Sequence, residues 1–320
     1  MDVFHFRKLE DPGPMNAVLT IGNFDGVHLG HQQLIRQVVH EAHQMGVKSA
    51  LMTFAPHPQA VLRGEPVPII STLPLRLRLF EELGLDSAYL VPFTREFSRK
   101  SPEEFVREYL LTYFRVRKLI IGFDFHFGRD REGSSEVLRR MSAEHDFRFE
   151  VYPEISLDGE KVSSTAIRQA LQAGDFARAQ YFLGRPYSVL EQVVRGDQRG
   201  RQLGFPTLNQ TPGEPLPLAH GVYAVRATLG NGKLGGDDPD CVQCGGVANY
   251  GIRPTFGGRQ PVLETHLFDF DREVYGEMVE VIPLRKLRDE RRFENIEALR
   301  SQITRDESAA RAALAETTKR

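Results

Sequence analysis

The sequence has no tryptophan and only 2 cysteines in 320 residues. Two cysteines are too few for a disulfide scaffold. Cys241 and Cys244 form a single C-x-x-C, and no second cysteine pair follows to complete the four ligands of a zinc site. They open an apolar segment rather than a strand-to-helix turn, where a redox pair is expected. We therefore interpret them as two strand residues.

The sequence also lacks an excess of charge of either sign. Its 41 basic residues nearly balance 43 acidic residues, which leaves a net charge of −2. Such a balance offers no electrostatic basis for binding nucleic acid or a membrane surface. No apolar run approaches the ~20 residues that cross a bilayer, and the first residues show no basic segment followed by an apolar one. We expect a cytoplasmic protein with neither a nucleic-acid partner nor a membrane partner.

Strand-like and helix-like segments alternate over the first half of the chain. Residues 17–22 are an apolar run typical of a buried strand, and residues 31–45 carry apolar side chains at helical spacing. The alternation continues to a last predicted strand over residues 147–152. Ser101 and Glu104 form a capping box that predicts another helix start. This order predicts a doubly wound parallel sheet, whose ligands bind at the carboxyl ends of the strands.

The pattern changes near Gly184, and we place a boundary there between modules of residues 1–184 and 185–320. Short segments with alternating or β-branched residues follow, separated by Gly, Asn and Pro clusters. Strands this short and closely spaced predict an antiparallel β-barrel. After Arg288 a terminal helix is predicted, with an apolar stripe formed by Phe293, Ile296, Leu299 and Ile303.

A glycine-rich turn, G22-N-F-D-G-V-H-L-G-H31, joins the first predicted strand to a helix. Backbone N–H groups and the positive helix end make such a turn an anion site. The turn matches neither G-x-G-x-x-G nor G-x-x-x-x-G-K-[ST], so the dinucleotide-binding and P-loop motifs are excluded. His28 and His31 add N–H donors that can stabilise charge on a phosphate. The alternative is a pair of surface or metal-binding histidines.

Three further polar segments follow strands or begin a helix in the same module. They are T53-F-A-P-H-P58, G122-F-D-F-H-F-G128 and S163-S-T-A-I-R168. Their hydroxyls, N–H groups and guanidinium predict a receptor for a triphosphate, because each of these groups donates to phosphate oxygens. Taken alone, the third segment is explained better as an ordinary helix N-cap.

A second glycine-rich segment, G196-D-Q-R-G-R-Q-L-G-F-P-T-L-N209, lies in the C-terminal half. Its glycines allow a loop to approach phosphates closely. Thr207 and Asn209 are two apart on an extended stretch, so their side chains point to the same side. Each offers a neutral oxygen, as Mg²⁺ bound to ATP prefers. The alternative is a β-turn loop with two polar edge residues.

Glu264 is unusual because strand periodicity places it on one face with Val262, His266, Phe268 and Phe270. A carboxylate among such neighbours has a raised pKa unless it is paired, and it can then accept a proton from a hydroxyl. The alternatives are an exposed edge residue or a partner for Arg253 or Arg288.

These segments resemble a known family. Two segments resemble signatures of nucleotidyltransferases: GNFDGVHLGH resembles H-x-G-H, and SSTAIR resembles I-S-S-T-x-x-R. Together with TFAPHP and GFDFHFG, they resemble the flavin adenylyltransferase module of bacterial bifunctional riboflavin kinase/FAD synthetases. RGRQLGFPTLN resembles the riboflavin kinase pattern G-R-x-L-G-F-P-T-A-N, with Leu208 in place of alanine. The resemblance runs from about Val18 to Asp306 and departs at Glu191, where the family usually has glycine.

The resemblance implies two reactions: phosphorylation of riboflavin to FMN by ATP with Mg²⁺, and adenylylation of FMN to FAD with release of pyrophosphate. It implies catalytic roles for His28, His31 and Glu264, the last as general base on the riboflavin 5′-hydroxyl, and Mg²⁺ ligands at Thr207 and Asn209. It implies flavin contacts at His57, Pro58, Asp124 and Phe125. It implies ATP contacts at Gly22, Phe24, Asp25, Gly30, Ser163, Ser164, Thr165, Arg168, Gly196, Arg201 and Gly204.

Two other functions stay open at this point, and the sequence leaves the oligomeric state undecided. One is a single-activity adenylyltransferase with a non-catalytic flavin-binding barrel. The other is a flavin-sensing or RNA-binding barrel fused to a degenerate transferase. The presence of Thr207, Asn209 and Glu264 argues against the first, and the neutral charge argues against RNA.

Overall fold

The computed structural model describes residues 1–6, 16–196, 200, 204–230, 242–255 and 258–317, with residues 253–255, 258–260 and 317 described by their backbone alone. The chain divides into two compact units. The first comprises Met1–Val67 and Arg76–Ser163, and the second comprises Pro68–Leu75 and Ser164–Arg320. Within the described residues, no helix has the length and the apolar character that crossing a membrane requires.

The first unit is built on a parallel sheet of six strands. They are β1 (Asp2–His5), β2 (Ala17–Ile21), β3 (Lys48–Ala55), β4 (Ser87–Pro92), β5 (Lys118–Gly122) and β6 (Arg148–Tyr152). Their order is β1-β4-β3-β2-β5-β6, and every neighbouring pair is parallel. The strand order reverses between β2 and β5, which is where such sheets bind ligands. The predicted doubly wound fold is confirmed, with β1 as an additional edge strand.

Helices connect these strands, as the alternation predicts. They are α1 (Leu29–Met45), α2 (Pro58–Arg63), α3 (Leu73–Glu82), α4 (Pro102–Phe105), which continues as the π-helix Val106–Tyr113, and α5 (Ser135–Glu144). The capping box at α4 is confirmed, because Ser101 Oγ accepts from Glu104 N at 3.1 Å and Ser101 N donates to Glu104 Oε2 at 2.7 Å. A short hairpin of β7 (Ser156–Leu157) and β8 (Glu160–Lys161) follows the sheet.

The second unit is a β-barrel with flanking helices. Its elements are α6 (Ser164–Gln172), α7 (Phe176–Leu183), β9 (Val189–Gln192), β10 (Leu208–Gln210), β11 (Gly221–Leu229), β12 (Val242–Thr255), β13 (Gly258–Leu267), β14 (Met278–Arg288) and α8 (Ile296–Thr317). The strands are antiparallel in the order β10-β13-β12-β11-β14-β9. Val194 N donates to Asn209 O at 2.8 Å across the remaining seam, so the barrel is nearly closed. The predicted antiparallel barrel with a terminal helix is confirmed.

The segment Pro68–Leu75 belongs to the barrel unit although it precedes it by almost 100 residues in sequence. Thr72 Oγ1 donates to the carbonyl of Leu190 in β9 at 2.6 Å, and Ile69 N donates to the carbonyl of Pro215 at 2.8 Å. Helices α6 and α7 also belong to this unit, where the ring of Phe176 contacts Tyr223. The module boundary at residue 184 stays a prediction.

The terminal helix α8 packs differently from the predicted apolar stripe. Ile296 is 62% exposed, and the buried face instead runs through Gln302, Asp306, Ala310 and Ala313. Asp306 is buried because Arg288 on β14 donates three hydrogen bonds of 2.7–3.0 Å to its carboxylate. A polar pair thus takes the place that apolar spacing assigns to isoleucine and leucine.

Candidate active sites

The turn after β2 has the close, irregular backbone that the glycine-rich sequence predicts. Phe24, Gly26 and Val27 all have positive φ values, of 50°, 89° and 43°. Two side chains from other segments hold the turn in place by hydrogen bonds to the Asn23 carbonyl. Thr53 Oγ1 donates to it at 3.0 Å, and an Arg76 guanidinium nitrogen donates to it at 2.9 Å. These contacts fix the strained turn at the carboxyl ends of β2 and β3, where a ligand is expected.

His28 is the N-cap of α1. Its Nδ1 accepts from the backbone N of His31 at 3.3 Å, so the proton of the neutral ring lies on Nε2. The rings of His28 and His31 are stacked, with centroids 3.6 Å apart and an interplanar angle of 17°. A Cβ on Gly30 would lie 3.3 Å from the His28 ring, so a larger residue would crowd this pair. Both imidazoles therefore lie at the positive end of α1.

His31 is kept neutral by its surroundings. Burial, followed by the charge of His28, holds the pKa of His31 well below its usual range. Its Nδ1 is buried and has no hydrogen-bond partner among the described residues. Phe24 covers the ring edge-on at 5.1 Å.

The other predicted residues of the first unit lie at the same sheet edge. Asp25 is buried within the turn, and His57 caps α2 by accepting from Gln59 N at 3.2 Å, with Pro58 as the first helical residue. Asp124 and Phe125 follow β5, the other neighbour of β2. Ser163 ends the first unit, whereas Ser164, Thr165 and Arg168 lie on α6 of the second unit, where Arg168 Nε donates to the Pro68 carbonyl at 2.8 Å.

The barrel unit has a cavity of about 300 Å³. Three residues predicted to bind ATP or Mg²⁺ line it: Gly196, Thr207 and Asn209. Gly196 lies against the Asn209 side chain so closely that a Cβ there would be 2.6–2.8 Å from its terminal atoms. Asn209 is buried, and its Nδ2 donates to the Thr207 carbonyl at 3.4 Å. The absence of a side chain at residue 196 is therefore what leaves room for Asn209.

The loop between Gly196 and Thr207 folds back on itself where the structure describes it. Phe205 N donates to the Gly200 carbonyl at 2.9 Å, and a Cβ on Gly200 would lie 3.4 Å from Thr207 Oγ1. Gly204 has a φ of 87°, as the predicted tight turn requires. Arg201, predicted to bind phosphate, lies outside the described residues.

Glu264 lies on β13 between two asparagines of neighbouring strands, opposite Asn209 on β10 and opposite Asn249 on β12. Directly opposed residues of antiparallel strands share a face, so Glu264 is beside the predicted Mg²⁺ ligand Asn209. The residue is half-buried as a whole, and its Oε1 is fully buried. Arg288, one of its predicted partners, binds Asp306 instead, and the Arg253 side chain lies outside the described residues.

The predicted alternation along residues 262–270 fails at its end. The strand ends at Leu267, and Asp269 adopts a left-handed φ of 55°. The chain therefore turns, and Phe270 lines the cavity instead of continuing the face of Glu264.

Two models of protein families match the chain in succession. The FAD synthetase model covers residues 11–166, and the riboflavin kinase model covers residues 183–314. Curated relatives match along almost the whole length, and those from Haemophilus influenzae and Escherichia coli K12 are described as bifunctional riboflavin kinase/FMN adenylyltransferases. The first is 36% identical over 92% of this chain and 94% of its own length, and the second 37% identical over 92% of each.

The chain belongs to the bifunctional riboflavin kinase/FMN adenylyltransferase family. A relative with the same description from Bacillus subtilis is 36% identical over 96% of both chains. The predicted family and the predicted pair of enzyme activities are confirmed.

A crystal structure from Streptococcus pneumoniae has the same fold along nearly the whole chain. It is 30% identical, with a TM-score of 0.74 over 97% of this chain and 99% of that one. That protein is described as a macrolide-efflux protein. The family models instead connect both units of this chain with flavin enzymes.

Sequence reasoning missed part of the cavity in the barrel unit. Residues 270–275 form one wall, and the fully buried Thr265 also lines it, with an Oγ1 that has no hydrogen-bond partner among the described residues. The wall residues come after the end of β13, in a loop without periodicity, so spacing alone gave no signal.

Glu191, where the family usually has glycine, is half-buried in β9, and burial raises its pKa.

Proposed function

We propose that ATP phosphorylates riboflavin at the barrel cavity and that FMN is adenylylated at the turn of residues 22–31. The juxtaposition of Gly196, Thr207 and Asn209 at the cavity supports the first assignment. The stacked His28–His31 pair at the start of α1, where the strand order of the sheet reverses, supports the second. The FAD synthetase match covers most of the first unit, together with Pro68–Leu75 and residues 164–166 of the second, and the riboflavin kinase match covers most of the second unit.

In the kinase reaction, Glu264 accepts the proton of the riboflavin 5′-hydroxyl. The hydroxyl oxygen then forms a bond to the γ-phosphorus of ATP, and the bond between that phosphorus and the β–γ bridging oxygen breaks. A positioned general base of this kind contributes about 10²–10⁴ in rate. The position of Glu264 opposite Asn209 supports this role, because it brings the base beside the groups that are proposed to hold the phosphates.

The residues at the cavity fit a magnesium ion bound together with ATP. Thr207 and Asn209 offer neutral oxygens, and no cluster of three or more His, Cys, Asp or Glu side chains forms an all-protein metal site in the part of the chain that the structure describes. Mg²⁺ typically takes a few protein oxygens and leaves its other positions to phosphates and water. When bound, the ion neutralises charge on the transferred phosphoryl group.

In the adenylyl transfer, a phosphate oxygen of FMN forms a bond to the α-phosphorus of ATP, and pyrophosphate leaves. His28 donates from Nε2, and the neutral ring of His31 donates from whichever nitrogen carries its proton. Their donors stabilise the charge that grows on the phosphate oxygens, an effect worth about 10²–10³ in rate per donor. We propose that Ser163, Ser164, Thr165 and Arg168 bind the leaving pyrophosphate, and that His57, Pro58, Asp124 and Phe125 contact the flavin.

Two single substitutions test the assignment of one reaction to each unit. His28→Ala should lower FAD formation by about 10²–10³ and leave FMN formation unchanged. Glu264→Gln keeps the size of the side chain and cannot accept the proton, so it should remove FMN formation while supplied FMN is still converted to FAD. Chromatography of the flavins measures both reactions in one sample. Loss of both activities in either variant, at an unchanged melting temperature, would contradict two separate sites.

Because both reactions consume ATP, we propose that the enzyme acts in the cytoplasm. We also propose that its partners are the small molecules ATP, riboflavin and FMN, and that nucleic acid is not among them.

A further inference from the structure

The hydrogen-bond ladder between β10 and β13 stops one residue short of Thr207. Its last pair is Leu208 with Thr265, and the next positions along the same register would be Thr207 and His266. In place of a ladder bond, the His266 side chain crosses to the β10 side, where its Nδ1 lies 2.8 Å from the Pro206 carbonyl oxygen. A carbonyl only accepts, so Nδ1 carries the proton and donates it.

This bond holds the segment that carries the proposed magnesium ligands. Pro206 has no N–H with which to extend the ladder. The ring of Phe205 packs edge-on against His266 at 5.5 Å. Thr207 follows directly, and Asn209 binds the Thr207 carbonyl. The side chain of His266 therefore fixes the backbone at the point where the strand can no longer do so.

His266 is itself held in place from the other side. The ring of Phe268 contacts it at 6.1 Å, and the guanidinium of Arg311 lies 4.3 Å above the ring of Phe268. Arg311 on α8 also binds both carboxylate oxygens of Asp269 at 3.0 and 3.3 Å. A continuous column of rings and a guanidinium thus runs from the terminal helix to the turn before Thr207.

We propose that His266 is a positioning residue of the kinase site, whose Nδ1–H binds the Pro206 carbonyl and thereby places Thr207 and Asn209 for ATP and Mg²⁺. This role rests on the proposed kinase function of the cavity. His266 lies on the same strand as Glu264, the proposed base. In contrast to Glu264, it acts on the reaction only by fixing the geometry of the backbone.

Three substitutions of His266 separate positioning from packing. In His266→Asn, the side-chain amide nitrogen can occupy the place of Nδ1, whereas in His266→Gln it reaches the place of Nε2. His266→Ala has no donor. One hydrogen bond contributes enough to change an equilibrium about five-fold. We therefore expect the KM for ATP in FMN formation to rise about five-fold in the Ala and Gln variants, and to change less than about two-fold in the Asn variant.

The KM for riboflavin should stay within about two-fold, and FAD formation from supplied FMN should be unchanged in all three variants. His220→Ala is the matched control, because this exposed histidine packs edge-on against Tyr250 and is not among the residues that line the cavity, and it should leave both KM values unchanged. Melting temperatures are measured on the same samples.

An unchanged KM for ATP in His266→Ala would overturn the positioning role. An equal rise in the KM for ATP in the Ala and Asn variants, in parallel with an equal drop in melting temperature, would also overturn it, because this result would indicate that His266 contributes packing alone. A parent protein that makes no FMN from riboflavin and ATP–Mg²⁺ would instead refute the proposed function of the cavity, and the role of His266 with it.

Discussion

Replacing Gly196 with alanine adds one methyl group at a crowded point of the cavity in the barrel unit. The new Cβ would lie 2.6 Å from Nδ2, 2.7 Å from Cγ and 2.8 Å from Oδ1 of Asn209. Carbon atoms and their neighbours in folded proteins rest at about 3.5–4.0 Å. The Asn209 side chain must therefore move by close to 1 Å, although it is buried and bonded to Thr207.

A displacement of about 1 Å in a positioning group can lower a rate by about 10²-fold. We expect Gly196→Ala to reduce FMN formation by about 10–10² and to raise the concentration of Mg²⁺ that gives half-maximal rate. The adenylyl reaction, measured with supplied FMN, should be unchanged. Gly213→Ala is the matched control, because a Cβ there meets no atom within 4 Å. FMN formation in Gly196→Ala at the parent rate would refute the role of Asn209.

Two more predictions concern His31 and the extent of the barrel unit. Because the pKa of His31 is lowered on folding, the unfolded chain binds more protons below about pH 6.5, and stability should fall as the pH drops from there towards the folded-state pKa. Urea unfolding should show a smaller loss between pH 7 and 5.5 in His31→Gln than in the parent, and equal losses would contradict this. A fragment of residues 164–320 should be more stable than one of residues 185–320 by about 1–3 kcal/mol, because it keeps the contact of Phe176 with Tyr223. Urea midpoints compare the two fragments, both of which should make FMN, and equal midpoints would show that α6 and α7 add nothing to the barrel.

Local patterns predicted the elements that depend on local physics. The capping box at Ser101 and the helix after His28 are determined by hydrogen bonds within one turn, and both are present. Such features need only neighbouring residues, so periodicity and turn chemistry were sufficient. The close approach of the glycines of residues 196–209 to phosphates stays a prediction.

Features that depend on distant residues were not predictable in the same way. Ile296 is exposed, and the buried Asp306 of the same helix binds Arg288 from another element of the chain. The chain turns at Asp269, where the alternation of side chains along β13 ends, and residues 270–275 line the cavity. Assignment of Pro68–Leu75 to the barrel unit depends on carbonyl groups of Leu190 and Pro215. Each of these is a tertiary contact that no local pattern encodes.

The fate of the ATP phosphorus atoms tests the central account most directly. The protein is incubated with riboflavin, Mg²⁺ and ATP labelled with ³²P at either the α or the γ position, and the flavins are separated by chromatography. We predict that the γ label enters FMN and that the α label enters FAD and never FMN. Pyrophosphate should carry the γ label whenever FAD forms. An α label in FMN, or FAD formed from γ-labelled ATP without labelled pyrophosphate, would contradict a kinase and an adenylyltransferase acting in succession.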